Sequence, residues 1–183
     1  MHIEAYRFLQ EATEGLDLTG ALVLEIGSRN VNGTPRPLFD GCALYLGIDP
    51  RAGSGVDHYV RAADYDGHQN FDYVVTAETM EHADPREIVN CAWRALKPGG
   101  LFILTAATEG REVHSNDGVL GMFEGEYYGN VSREQLEQLL AEWDVVRLEV
   151  DEAHHDIYAV ARKPDLPPTG IRVPTLPLEE GIL

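Results

Sequence analysis

Two carboxylates and a glycine turn carry the chemistry most directly legible in this sequence. In ALVLEIGSRNVNG, residues 21–33, an apolar run ends in Glu25 and Gly27 and opens into a turn rich in Ser, Asn and Gly. A second apolar run, ALYLGID, ends in Asp49. This pattern describes two parallel strands with carboxylates at their carboxyl ends. In an open α/β sheet that edge holds ligands, because the turn after the first strand directs backbone N–H groups and a helix N-terminus toward them. A carboxylate such as Asp49 suits a ribose diol. Ser28 and Arg29 follow Gly27, so the G-x-G-x-x-G fingerprint is absent, which weakens the case for a nicotinamide or flavin cofactor.

Composition narrows the classes. A chain of 183 residues with 44% apolar content can bury one sizeable core. One domain over 1–163 is expected, followed by a proline-rich tail over 164–183. A formal charge of −17 opposes phosphate backbones and anionic membranes, and the scattered Lys and Arg residues form no basic patch. Nucleic acid and membrane are therefore not expected partners. Cys42 and Cys91 lack the paired spacing of a zinc site and read as small core residues in a reducing cytoplasm. The start, MHIEAYRFLQEA, lacks the basic and then apolar blocks of a signal peptide, and no run has the length of a membrane span, so a cytoplasmic location is expected.

The elements that must position these residues follow from periodicity and punctuation. Residues 3–14 form an amphipathic helix, with Ile3, Tyr6, Leu9 and Ala12 at helical spacing and Gly15 as its stop. Strands are expected at 21–26, 43–48, near 56–61, and at 71–77, where FDYVVTA has the β-branched content of a buried strand. Pro35 and Pro37 break the first crossover. Asp84 is placed as N-cap and Pro85 as first residue of a helix that Lys97-Pro-Gly-Gly100 ends, before a strand at 101–107. Residues 108–131, with five glycines and His114, have no period and read as a functional or mobile loop. Ser132 and Gln135 open a further helix as a capping box, with Leu136, Leu139 and Leu140 facing inward. WDVVRLEV and DIYAVARK form an antiparallel pair. The fold class is α/β, a Rossmann-like doubly wound and mostly parallel sheet with an antiparallel strand near the C-terminus.

LEIGS at 24–28, GID at 47–49, the Asp64 region, FDYVVTAETMEH at 71–82 and LKPGGLFILT at 96–105 together resemble the class I S-adenosylmethionine-dependent methyltransferases, especially the small type 11 group. The resemblance runs from about Leu22 to Thr105. It implies S-adenosyl-L-methionine as cofactor, with Glu25, Gly27 and the adjoining Ser28 at its methionine part and Asp49 on the ribose. Asp64 would accept from the adenine amino group beside the backbone of Ala63. Thr76, Ala77 and Glu78 would line the sulfonium and the acceptor pocket. Glu25 as a helix cap, and Asp64 before Tyr65-Asp66-Gly67 as a turn former, are the structural alternatives.

Methyl transfer is an in-line displacement that a protein accelerates largely by orientation, and a hydroxyl acceptor also benefits from a base. His82 in the Glu-His pair and His114 in the long loop are the catalytic candidates, His82 being expected to pack and orient. His154, His155 and Asp156 read as a metal cluster only weakly, because adjacent strand positions face opposite ways, and no metal is expected. Tyr127, Tyr128, Phe123 and Met122 suggest a wall over the acceptor. Glu109, Glu112, Asp117, Glu124 and Glu126 suit a cationic or neutral acceptor better than a phosphorylated one. TAET stands where amino-methylating DNA enzymes carry a Pro-Pro block, so a small-molecule or protein acceptor is favoured over nucleic acid. A non-catalytic cofactor-binding or scaffold protein, a nucleic-acid methyltransferase, and a nucleotide-sugar or nicotinamide enzyme are the alternatives.

Overall fold

The computed structural model describes residues 1–165. Its elements run α1 (Ile3–Thr13), β1 (Leu22–Ile26), β2 (Leu44–Asp49), β3 (His58–Tyr59), β4 (Phe71–Ala77), α2 (Pro85–Ala95), β5 (Leu96–Ala107), α3 (Arg133–Leu139), β6 (Asp144–Asp151) and β7 (Asp156–Arg162). They form one seven-stranded sheet in the order β3-β2-β1-β4-β5-β7-β6. The pairs from β3 to β5 are parallel, whereas β7 runs antiparallel to both β5 and β6. The expected α/β class and the antiparallel strand near the C-terminus both hold. The strand order reverses between β1 and β4, which places the crevice for a ligand beyond the carboxyl ends of those two strands.

Burial explains the layers. Alternate side chains of a strand face opposite sides, and the central strands β1, β4 and β5 are apolar on both. On one face Leu24, Val74, Phe102 and Leu104 pack with Ile88, Val89 and Ala92 of α2 and Leu136 and Leu140 near α3. On the other, Val23, Val75 and Ile103 pack with Ala5, Phe8 and Leu9 of α1 and with Phe39. That second face is thinly covered. Pro35 and Pro37 leave only a 3-10 turn, Arg36–Phe39, between β1 and β2. The helix N-terminus expected after β1 is therefore absent, and the N–H groups of Gly27 and Ser28 bond instead to Ile48 O.

Three further boundaries differ from the sequence reading. β3 has only two residues, both exposed. The helix before Lys97-Pro-Gly-Gly100 ends already at Ala95, and the strand begins at Leu96 rather than 101. Leu96 pairs with Phe71 across a register irregularity, while Gly99 N donates to Lys163 O and Lys163 N to Gly100 O, so this segment is held from both sides. Of the inward leucines, Leu136 and Leu140 are buried but Leu139 is only partly so. Cys91 is a core residue, whereas Cys42 is half-buried. Most of the proline-rich tail, from 166 onward, lies outside the described residues.

Both expected helix caps form. Asp84 Oδ1 accepts from Arg86 N at 2.9 Å, and Ser132 Oγ accepts from Gln135 N at 3.1 Å. Each satisfies one of the orphan N–H groups of a first turn. Asp84→Ala and Ser132→Ala should each lower stability by about 1 kcal/mol, and the double variant should lose about the sum because the helices share neither cap. Urea denaturation of the three variants checks both expectations.

Candidate functional site

At the switch point, the ends of β1, β2 and β4 enclose a cleft of about 350 Å³, within the range of small-molecule sites. It is lined by Glu25 and Gly27 at the end of β1, Asp49 at the end of β2, Arg61 and Ala62 after β3, and Ala77 to Thr79 at the end of β4. His82, His114 and a stretch of the 108–131 segment complete it. The carboxyl edge of the sheet is thus where the sequence placed it.

Gly27 is required by geometry. Its φ is +78°, and a Cβ there would lie 2.2 Å from Thr79 Oγ1. The turns after β1 and β4 can meet only because that side chain is missing. Glu78 pays no such relief: it is a non-glycine residue at φ +51°, a conformation uncommon outside glycine and enriched at functional sites. Its N–H donates to Thr105 O at 3.0 Å, which holds the turn.

Asp49 is oriented by two backbone donors, Arg51 N at 2.8 Å and Arg29 N at 3.3 Å, one on each carboxylate oxygen. Each oxygen keeps a further lone pair for a ligand. Glu25 is buried and accepts from Tyr45 OH at 3.0 Å. Burial pushes its carboxyl up to about 7, against the opposing effects of the Tyr45 bond and the nearby Arg36, with Asp57 adding slightly to the rise. Glu25 caps no helix.

Four expected site residues do not line the cleft. Ser28 is buried with an unpartnered hydroxyl and packs under Gly47. Thr76 is fully buried and donates to Ile26 O at 2.9 Å, bracing β4 against β1. Ala63 and Asp64 are exposed, in a 3-10 turn whose Ala62 reaches the cleft instead. The shortness of β3 accounts for this, since the chain turns away before residue 64.

The 108–131 segment roofs the cleft. Arg29 of the β1 turn is ion-paired with Asp117, and Arg51 lies 3.7 Å from Glu126, which also accepts from Asn116 Nδ2 at 3.0 Å. Arg29, Arg51 and Asn116 were not anticipated, because their partners are remote in sequence. Two of the five acids expected to make this region negative are therefore matched by arginines. The expected aromatic wall is smaller than the sequence suggested. Met122 and Phe123 are exposed, Tyr127 lines the cleft, and Tyr128 sits edge-on to His82 and His114, with ring centroids 5.3 and 4.8 Å away. His82 and His114 are themselves 5.0 Å apart, and burial, with His114 nearby, holds His82 down at about 4.

Behind this wall lies an ionic network. Buried Asp156 accepts from Tyr158 OH at 2.9 Å and is paired with Arg111, while His2 Nε2 lies 2.6 Å from its Oδ2 and 3.5 Å from Glu78 Oε2. Asp156 and then Glu78 raise the His2 imidazolium to about 10. His154 and His155 occupy the β6–β7 turn, not a strand, where His154 pairs with Asp151 and His155 bonds Glu109 O. They do not join Asp156 in a cluster.

The comparisons agree with this geometry. Residues 38–104 match the family model described as a methyltransferase domain. Over that stretch the chain is similar to this family. Among solved structures, it is similar to the 1,6-didemethyltoxoflavin-N1-methyltransferase of Burkholderia thailandensis with bound 1,6-didemethyltoxoflavin and S-adenosylhomocysteine. The TM-score is 0.66 at 17% identity over 88% of this chain and 79% of that one. An S-adenosylmethionine-dependent methyltransferase from Mesorhizobium loti gives a TM-score of 0.63 at 12% identity, over 87% and 98% of the two chains. Phosphoethanolamine N-methyltransferase 2 of Haemonchus contortus, in complex with S-adenosyl-L-methionine, gives 0.62 at 16%, over 88% of this chain but 52% of that one. At these identities the structures establish the fold. No curated protein matches the sequence. Among the described residues, no helix is long and apolar enough to cross a membrane.

The raised Glu25 carboxyl gives a pH test with a definite sign. Its folded value lies above the unfolded one, so folding takes up a proton between about 4.5 and 7, and stability from this group falls as pH rises through that window. Glu25→Gln removes the titration. The variant's stability relative to the parent should therefore climb between pH 4.5 and 7 and level off above, as read by urea denaturation across pH. A difference independent of pH would contradict the burial of an ionisable carboxyl there.

Proposed function

We propose that this protein transfers a methyl group from S-adenosyl-L-methionine to a small-molecule acceptor in the cleft between the β1 and β4 turns. The reading is carried by one juxtaposition: Glu25, Gly27 and Asp49 face one cleft at the switch point, each at the carboxyl end of its strand. The residues fit the cofactor on structural grounds. Asp49 has free lone pairs on a carboxylate already fixed by two N–H groups, which suits a cis-diol. The missing Cβ at Gly27 lets the Thr79 turn close against the β1 turn beside the cleft, and Glu25 offers a buried acceptor for an ammonium group.

When bound, the cofactor supplies an electrophilic methyl group on a positively charged sulfur. The chain's own contribution is placement. Asp49 would hold the ribose and Glu25 the methionine end of the cofactor, with Ala77 and Glu78 as the wall between them, and the Arg29–Asp117 and Arg51–Glu126 pairs draw the roof over the acceptor side. Holding an acceptor in line in this way is worth roughly 7–11 kcal/mol of barrier. His82 and His114 stand on the acceptor side, where they orient the reacting group. The roof favours a small acceptor over a protein segment, and the solved relatives bound to 1,6-didemethyltoxoflavin and phosphomonomethylethanolamine make small acceptors a sound first panel.

The charge-assisted bonds from a ribose to Asp49 contribute about 1.5–3 kcal/mol each. Asp49→Ala should weaken S-adenosylhomocysteine by at least about tenfold, which corresponds to roughly 1.4 kcal/mol. Asp49→Asn should do less harm because its amide keeps one acceptor. Calorimetric titration, with circular dichroism to confirm folding, decides this. Unchanged affinity in folded Asp49→Ala would remove the cofactor reading, while binding without label transfer from methyl-labelled cofactor to any acceptor would favour a non-catalytic binding protein.

A further inference from the structure

Beside the proposed cofactor pocket, Glu81, His82 and His114 each present one ligating atom, and these atoms lie within 4.8 Å of one another. Glu81 is fully buried, yet neither carboxylate oxygen meets a hydrogen-bond donor among the described residues. A buried carboxylate without a partner is costly. His82 Nδ1, Glu78 Oε1 and Tyr128 OH are also buried and unpartnered. These orphaned groups share one region, at the turn after β4 and the segment packed on it.

The histidines are prepared to ligate. His114 Nδ1 lies 3.0 Å from Glu112 O, and since a carbonyl only accepts, that nitrogen carries the proton and Nε2 carries the lone pair. Such a bond to the far nitrogen fixes the tautomer and orientation of metal-binding histidines. The neighbouring His2, Glu78 and Asp156 group is different, because Arg111 and the His2 imidazolium already balance its carboxylates. Glu81 has no ion-pair partner among the described residues.

We infer that Glu81, His82 and His114 bind a divalent transition-metal ion on the acceptor side of the cleft. Two imidazoles with a carboxylate suit zinc and its first-row neighbours better than magnesium or calcium. Tetrahedral binding at the usual bond lengths brings ligand atoms to about 3.3–3.5 Å apart, a contraction that His114 can make from its irregular segment. His82 and His114 line the cleft, so the position left open by the three ligands faces it. An acceptor that coordinates through a hydroxyl oxygen would be acidified there. Its proton passes to water, the oxygen pair forms the O–C bond, and the C–S bond breaks with its electrons left on sulfur. This last role rests on the methyltransferase reading, whereas ion binding does not.

The test uses tag-free full-length chain, stripped with chelator and titrated with Zn²⁺ by calorimetry and with Co²⁺ by visible absorption. S-adenosylhomocysteine is titrated into the same samples. One Zn²⁺ per chain is expected, with Co²⁺ bands of a nitrogen-ligated site. His114→Ala and the nearly isosteric Glu81→Gln should each weaken Zn²⁺ at least about tenfold and alter those bands, while His154→Ala should match the parent. Absence of stoichiometric Zn²⁺ binding in the parent overturns the inference, as does binding unaffected by His114→Ala and Glu81→Gln in folded protein. Sensitivity only to His154→Ala would assign the ion to a surface histidine and overturn it too. The two readings fail separately: S-adenosylhomocysteine binding without Zn²⁺ binding removes the metal site alone, and Zn²⁺ binding without S-adenosylhomocysteine binding removes the cofactor reading alone.

Discussion

The contact between the β1 turn and the β4 turn governs the site. Gly27 can lie against Thr79 only without a side chain, and Thr76, one turn earlier, donates to the Ile26 carbonyl from the fully buried end of β4. These two contacts fix the separation of the strand ends that define the switch point. Glu78 then adopts φ +51° because the chain must leave β4 sharply while its N–H stays on Thr105. The cleft is the space this constraint leaves open, and Asp49 reaches it because β2 pairs in register with β1 up to Ile26↔Ile48.

The polar groups around the cleft fall into two electrostatic regimes. On the side of Asp49, backbone N–H groups and arginines hold the carboxylates, and solvent is near. On the side of Glu81 the groups are enclosed: Asp156 is fully buried with Arg111, His2 and Tyr158 about it, and Glu81 is fully buried with none of them as partner, its carboxyl raised by burial and then by the nearby Glu78. Enclosed charges interact strongly because little water screens them.

The strands, the two capped helices and the closing antiparallel pair were legible because each is written in local signals: a β-branched run, Asp-Pro, Ser-x-x-Gln, and two apolar segments across a short turn. The cleft-lining carboxylates Glu25 and Asp49 were legible because they stand at strand ends. Residues 63 and 64 were not placed correctly, since their position depends on how long β3 runs, and a two-residue edge strand leaves no pattern. Ser28 and Thr76 carry polar labels yet serve packing, being turned under the sheet edge. Arg29, Arg51, Arg111 and His2 escaped notice because each finds its partner across long stretches of chain. Glu81 was read only as part of the Glu-His pair; its burial depends on the backbone of Gly129, whose N–H donates to Glu81 O.

The His2–Asp156 contact joins a residue ahead of α1 to the first residue of β7, the strand inserted between β5 and β6. The pairings of β1, β2, β4 and β5 lie within residues 22–107, whereas the His2–Asp156 contact joins the two ends of the sheet-forming chain. The acidic back wall closes only when β7 slots into place and captures His2. The wall behind the cleft therefore depends on a contact that only the fully paired sheet can make.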